Sequence, residues 1–256
     1  MNEQTAVIAE RSGRVLVVTL NRPEQRNAVN LAVAKGIATA LDELDADTEL
    51  SVGVLTGAGR GFCAGMDLKA FVTGERPWVG DRGFAGIVQR PSHKPLIAAI
   101  EGFAVAGGLE IALACDLIVA ARGAKLGIPE VKRSLVAAAG ALLRLPRALP
   151  HGVAMELALT GDPITAERGY ELGLVNRLTE PGAALEQALE LAATIAANGP
   201  LALAATKRIL TEGPGWSEAE FWRLQGEITG PVFGSEDARE GATAFAEKRP
   251  PAWKGR

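Results

Sequence analysis

PLIAAIEGFAVAGGLEIALACDLIVAA, Pro95–Ala121, is the stretch whose reading decides the fold. Pro95–Ile100 is a short, wholly apolar run of the kind that forms a buried strand. Glu101–Gly108 reads as a glycine-rich turn, Leu109–Cys115 carries helical spacing, and Leu117–Ala121 is a second apolar strand. Strand, glycine turn, helix and strand in immediate succession predict an α/β protein. Upstream, Val52–Thr56 is another apolar strand, and it too ends in glycines, Gly57-Ala58-Gly59-Arg60-Gly61. Before it, Asn30 stands as a helix cap ahead of Leu31, Ala34, Ala38 and Leu41, which share one helical face. Ala6–Ala9 and Val15–Leu20, separated by Arg11-Ser12-Gly13, read as a β-hairpin. Downstream of Pro181 the texture changes to successive helical patterns over 183–197, 201–212, 217–229 and 235–247. Asn198-Gly199-Pro200, Gly213-Pro214-Gly215 and Gly230-Pro231 break them. The division expected is an α/β core over 1–198 and a helical C-terminal segment over 199–256.

Composition narrows the classes of function. A chain of 256 residues with 48% hydrophobic and 22% charged residues has the makeup of a globular protein with a sizeable core. A net charge of −3 gives no polyanion-binding surface, so nucleic acid is not an expected partner. Two well-separated cysteines, Cys63 and Cys115, make neither a disulfide framework nor a metal site. MNEQTAVIAERSGRVLVV lacks the basic start and apolar block of a signal peptide, and the longest apolar runs, such as Leu135–Leu143, are too short to span a bilayer. A cytoplasmic, reducing location with no membrane partner is expected.

Three segments can carry chemistry. In Gly57–Lys69 the strand runs into Gly-x-Gly, but the third glycine of a dinucleotide fingerprint would fall at Phe62. The small residues Cys63, Ala64 and Gly65 instead let main-chain N–H groups approach a ligand, or simply make a tight turn. In Glu101–Ala112, Gly107 and Gly108 open a helix whose first-turn N–H groups are free and dipole-polarised, suited to an oxyanion. Glu110 lies one turn along on the same face, where a carboxylate can move a proton or complement the dipole. In Leu126–Glu130 an acidic residue follows a strand-like run and a proline, and solvation alone accounts for it. His93 and His151 accompany no nucleophile pattern. There is neither a Gly-x-Ser-x-Gly elbow nor a P-loop.

As an ordered set these segments closely resemble the crotonase (enoyl-CoA hydratase/isomerase) superfamily. The resemblance rests on Phe62–Leu68 and Glu101–Glu110, then Cys115-Asp116, Gly127–Glu130 and Arg144-Leu145-Pro146-Arg147. It continues through Thr160-Gly161, Gly173–Asn176 and Ala205-Thr206-Lys207 to Ser235–Arg249, and it covers nearly the whole chain from Leu20 onward. It implies a crotonase-like fold, a spiral ββα core with a helical oligomerisation segment, and homotrimers or dimers of trimers.

The resemblance also implies roles for single residues. The N–H groups of Met66 and Gly107 form the oxyanion hole, and Glu110 and Glu130 hold and activate water and shuttle the proton at the α-carbon. Ala64, Met66, Asp67, Leu68 and Lys69 line the coenzyme A part of an acyl-CoA substrate, Arg22 and Lys69 meet its phosphates, and Phe245 and Lys248 reach a neighbouring subunit's ligand. Coenzyme A belongs to the substrate, and no metal or separate cofactor is implied.

Within the family, the presence of both glutamates points to a hydratase. Gly83-Phe84-Ala85-Gly86 and the C-terminal Ala246–Arg256 are similar to the carnitinyl-CoA dehydratase branch, which stays open beside an enoyl-CoA isomerase and a non-catalytic acyl-CoA-binding protein. Val136-Ala137-Ala138-Ala139-Gly140-Ala141 replaces the family's usual Pro-Gly-x-Gly-Gly turn, which leaves the acyl preference open.

Overall fold

The computed structural model describes residues 5–256; Met1–Gln4, the polar start of the N-terminal reading, lie outside the described residues. β1 (Val7–Ser12) and β2 (Val15–Leu20) form the expected hairpin, with Gly13 at φ 59° in its two-residue turn. α1 (Leu31–Ala46) starts where Asn30 caps it, the Asn30 side chain accepting from Val33 N at 3.0 Å. β3 (Val52–Gly57), the short α2 (Leu68–Val72) and a small hairpin of β4 (Trp78–Val79) and β5 (Gly83–Phe84) follow.

The stretch that opened the reading resolves into β6 (Leu96–Ile100), β7 (Phe103–Val105), α3 (Gly107–Ala114) and β8 (Leu117–Ala121). β9 (Lys125–Gly127), α4 (Ala141–Ala148), α5 (His151–Thr160), β10 (Ile164–Thr165), α6 (Ala166–Glu171) and β11 (Arg177–Thr179) complete the core.

Six strands make one sheet in the order β1-β2-β3-β6-β8-β11, antiparallel only at the hairpin, and β10-β9-β7 make a second. From β6 to β9 consecutive strands therefore alternate between the two sheets. β6 lies in the large sheet and β7 in the small one, α3 returns the chain, and β8 and β9 repeat the step. This is a ββα spiral, and it sets the start of α3 against the small sheet.

From β2 to β8 the large sheet is buried on both faces, as parallel sheets are. Val15, Val17, Val52, Val54, Ile97, Ala99 and Val119 face α7 (Ala184–Ala196), which meets them with Ala188, Ala192 and Ala196. These alanines repeat every four residues, so one smooth helical stripe approaches the sheet closely. The alternate residues Leu16, Val18, Leu20, Leu55, Ala98, Ile100 and Ala120 enter the main core with α1.

α8 (Pro200–Glu212), α9 (Glu218–Phe233) and α10 (Glu236–Glu247) follow. The division expected after residue 198 falls in the link between α7 and α8. Lys207 ties α8 to the core through Asp116 at 2.7 Å and the Lys94 carbonyl at 2.8 Å. The C-terminal tail folds back on α10, where the Asp237 carboxylate accepts from the N–H groups of Lys254 and Gly255. No single helix among the described residues is long and apolar enough to cross a membrane.

Two expectations need correction. The break expected at Gly230-Pro231 does not occur, since α9 runs through Pro231 to Phe233. A proline this close to a helix end removes only a bond of the final turns. Glu101–Gly108 is not all turn, because β7 lies inside it.

Candidate active site

The site is assembled where the loop after β3 lies alongside β7. Asn27, 1% exposed, organises the loop: its amide donates to the carbonyls of Ala58 (2.9 Å) and Gly61 (2.8 Å), and its Oδ1 accepts from Arg22 N. Phe62 N and Cys63 N donate to Phe103 O, and Val105 N donates back to Cys63 O at 3.1 Å. A Cβ on Gly108 would overlap the Cys63 carbonyl, so only glycine permits this approach. The ladder brings the two motifs together, although some forty residues of sequence separate them.

Met66 and Gly107 are consequently adjacent. A Cβ added to Gly65, at φ +90°, would stand 2.9 Å from Gly107 N, and one added to Gly107 would stand 3.4 Å from Gly65 Cα. Val29 N donates to Gly65 O and Asp67 N to Val29 O, which leaves the Met66 N–H on the opposite edge. Among the described residues, neither the Met66 N–H nor the Gly107 N–H has a hydrogen-bond partner. Ala106, the cap of α3, sits at φ 53°, ψ −132°, a strained conformation for a residue with a Cβ. That strain turns the chain from β7 into α3 so that the first N–H of the helix projects freely.

The two carboxylates are near enough to each other for the charge of Glu110 to act on Glu130. Glu110, in the first turn of α3, is 3% exposed; its Oε1 accepts from Ala139 N at 2.7 Å and Ala141 N at 3.1 Å. Burial pushes its carboxyl above the ordinary carboxylate range, opposed by those two N–H groups and by the positive charge of Arg144. Glu130, on the turn after β9, is raised too, first by burial and further by the charge of Glu110. Its Oε2 is buried and has no hydrogen-bond partner among the described residues. A buried carboxylate oxygen without a donor disfavours ionisation and is available to a ligand.

The residues expected at the coenzyme A part are arranged unevenly. Arg22 does not present a free guanidinium: it is held by Asp67 Oδ2 at 3.0 Å and by the Ala28 carbonyl at 2.6 Å. The partner that takes it, Asp67, also caps α2 by accepting from Lys69 N and Ala70 N. Both side chains thus brace the backbone that carries Met66. Ala64 is half-buried with its N–H on Arg26 O, while Leu68 and Lys69 are exposed, and Lys69 has no ion-pair partner among the described residues. Phe245 (87% exposed) lies in the last turn of α10 and Lys248 caps that helix. The thiols of Cys63 and Cys115 are free, buried and pushed up to about 12 by that burial. His93 pairs with Asp45 at 3.1 Å, away from the site, and His151 opens α5.

Sequence reasoning missed four participants. The N–H groups of Ala139 and Ala141 orient Glu110, yet backbone donors carry no side-chain signal. Arg144, bonded to Val88 O at 2.6 Å, stands behind Gly140, where any Cβ would overlap its Nη1. It figured only as part of a family spacing. Phe84 abuts Gly107, and it figured only in a segment similar to the carnitinyl-CoA dehydratase branch.

A family model described as enoyl-CoA hydratase/isomerase matches residues 10–256. The chain is 44% identical to enoyl-CoA hydratase EchA19 of Mycobacterium tuberculosis, over 97% of this chain and 96% of that one. It is 41% identical to the carnitinyl-CoA dehydratase of Salmonella typhi, over 96% and 97%. Among solved structures, enoyl-CoA hydratase EchA1 from Mycobacterium marinum superimposes with a TM-score of 0.97 at 60% identity, over 99% of this chain and 100% of that one. A carnitinyl-CoA hydratase from Mycobacterium avium gives 0.80 at 44%, with the same coverage.

Proposed function

The chain belongs to the enoyl-CoA hydratase/isomerase family, and on that premise we propose that it is a hydro-lyase that adds water across the 2,3 double bond of an enoyl-CoA thioester. The observation that carries the reading is the pair of N–H groups, Met66 and Gly107, that have no partner among the described residues, together with the buried Glu110 and the half-buried Glu130. The thioester oxygen accepts from both N–H groups, which hold the negative charge it gains as an enolate.

The two glutamates divide the proton work because their surroundings differ. Glu110 has two N–H donors on Oε1 and Arg144 nearby, which favour its ionised form, so it takes a proton from water as the oxygen bonds to the β-carbon. Glu130, with an undonated buried oxygen and the charge of Glu110 beside it, has its protonated form favoured and delivers that proton to the α-carbon. The product is the 3-hydroxyacyl thioester. Return of the proton from Glu110 to Glu130 restores the site, and the reverse sequence is a dehydration.

The likeness to carnitinyl-CoA dehydratases supports a second reading, the same chemistry on a 2-enoyl group bearing a quaternary ammonium. Lys69, exposed beside the cap of α2, is the side chain proposed to meet the phosphates, with Ala64, Asp67 and Leu68 shaping the path of the pantetheine.

Homotrimers or dimers of trimers belong to this reading, because neither α8 nor α9 buries a residue fully and Trp222 (64% exposed) and Phe233 (79%) stand open on α9. Phe245 and Lys248 would then serve a neighbouring subunit. A cytoplasmic site of action is part of the same proposal.

Incubation with crotonyl-CoA and crotonobetainyl-CoA, following enoyl absorbance, tests the function. Glu110→Gln and Glu130→Gln are each expected to lower kcat by about 10²–10⁴. The double variant should cost far less than the product of the two, since both act on one water. Near-normal hydration by either single variant would overturn the mechanism.

A further inference from the structure

We propose that Cys63 is a positioning residue whose side chain sets the orientation of the Gly65–Met66 peptide and so aims the Met66 N–H at the thioester oxygen; the inference rests on the hydratase reading above. Cys63 is completely buried, and its thiol stands between two main-chain groups. Its Sγ donates to the carbonyl of Asn27 at 3.1 Å and accepts from the N–H of Gly65 at 3.4 Å. Among the described residues the Gly65 N–H has no other hydrogen-bond partner.

Gly65 is the joint that has to be fixed. It sits at φ +90°, and with no Cβ it meets little resistance to rotation. Its two backbone torsions set the angle between the Ala64–Gly65 and Gly65–Met66 peptide planes. The second plane is held at the Gly65 carbonyl, which accepts from Val29 N at 2.8 Å, and a trans peptide turns the Met66 N–H the opposite way. The first plane is held at its N–H by Cys63 Sγ, and among the described residues its carbonyl, that of Ala64, accepts no hydrogen bond. Without the thiol only one of the two planes is anchored.

Cys63 also joins the two halves of the oxyanion site. Its main chain is fastened to β7, the N–H donating to Phe103 O at 3.3 Å and the carbonyl accepting from Val105 N at 3.1 Å. Its side chain reaches Asn27, in the segment whose Val29 holds the Gly65 carbonyl. One residue thus ties together the strand that leads to Gly107, the segment behind Gly65, and Gly65 itself. Burial pushes the thiol up to about 12, so near neutral pH it stays S–H and serves as donor and acceptor at once. Cys115 is buried too, but its thiol meets only Ile111 O, at 3.6 Å, within its own helix end, and it supplies the control.

The test compares Cys63→Ala, Cys63→Ser and Cys115→Ala by kcat and KM for crotonyl-CoA, by Tm, and by the absorption of bound para-dimethylaminocinnamoyl-CoA. The band of that thioester moves to longer wavelength as its carbonyl is polarised, so it reads the oxyanion site directly. Cys63→Ala is expected to lower kcat about tenfold, less than outright loss of a donor, with KM within about twofold of wild type and a smaller red shift. Cys63→Ser keeps a donor and an acceptor in place and should recover most of both. Cys115→Ala should lose stability and change neither. Where Cys63→Ala does not fold, Cys63→Val, which fills the volume without a polar group, takes its place. Wild-type kcat and red shift in the folded Ala or Val variant, or a loss that Cys63→Ser does not recover, overturns the proposal. A wild type that shifts the probe but hydrates no enoyl-CoA overturns the hydratase reading alone, and the shift in Cys63→Ala then decides the role of the thiol. A wild type that does neither overturns both.

Discussion

Gly65→Ala is the substitution that most directly interrogates the oxyanion site. The new methyl carbon would stand 2.9 Å from Gly107 N, 2.8 Å from Ala106 Cβ and 3.2 Å from Val105 O. An oxyanion bound to that N–H would lie at about 2.7–3.1 Å, so a methyl at a comparable distance crowds the Gly107 amide and must displace it or its neighbours. Blocking one of two donors is expected to lower kcat by about 10²–10³, or about 2.7–4 kcal/mol of transition-state stabilisation. Alanine at φ +90° adds a separate folding cost of about 1–3 kcal/mol, which lowers Tm by a few degrees in a chain of this size. Gly173→Ala separates the two effects, because Gly173 has a similar φ of +86° with nothing within 4 Å of its Cβ position. It should lose comparable stability and keep its activity. Kcat and KM for crotonyl-CoA, with Tm for each variant, are the measurements. A folded Gly65→Ala enzyme with kcat within threefold of wild type would refute the assignment of the Gly107 amide.

Burial raises both glutamates above the usual carboxylate range, so the folded state binds more protons than the unfolded one over that window. Stability from this source is present below the ordinary value near 4.5 and is lost as pH rises through the raised values. Glu110→Gln and Glu130→Gln should therefore melt higher than wild type at pH 7, with the advantage vanishing near pH 4; melts at the two pH values decide. Arg144→Gln removes a positive charge that favours ionised Glu110, so the acid limb of kcat/KM should move to higher pH, and Arg144→Lys should bring it part of the way back. An unmoved limb in both would exclude Arg144 from positioning the base. Sedimentation at micromolar concentration should show trimers or hexamers, and a stable active monomer would refute the assembly reading.

Much of the fold was legible because its signals are local. Asn30 capping α1, the apolar strands β3, β6 and β8, and the glycines that end them need only neighbours in sequence, and all lie where the periodicity puts them. The strands β7, β9 and β10 span two or three residues each, too few for a period to register, and they pair across chain separations that a local reading cannot span. The same limit hid the partners of the site. Arg22 looked like a free cation for phosphate, but Asp67, 45 residues away, takes its guanidinium.

From sequence alone came the α/β class, the glycine-opened helix of Gly107 and the placing of Glu110 one turn along it, since a helix's own geometry dictates those relations. Tertiary structure alone decided that Met66 and Gly107 meet, that Ala139 and Ala141 clamp Glu110, that Glu130 keeps an undonated oxygen, and that Phe84 closes on Gly107. Each of these depends on close packing between distant segments, where a single Cβ changes the outcome and no residue announces its partner.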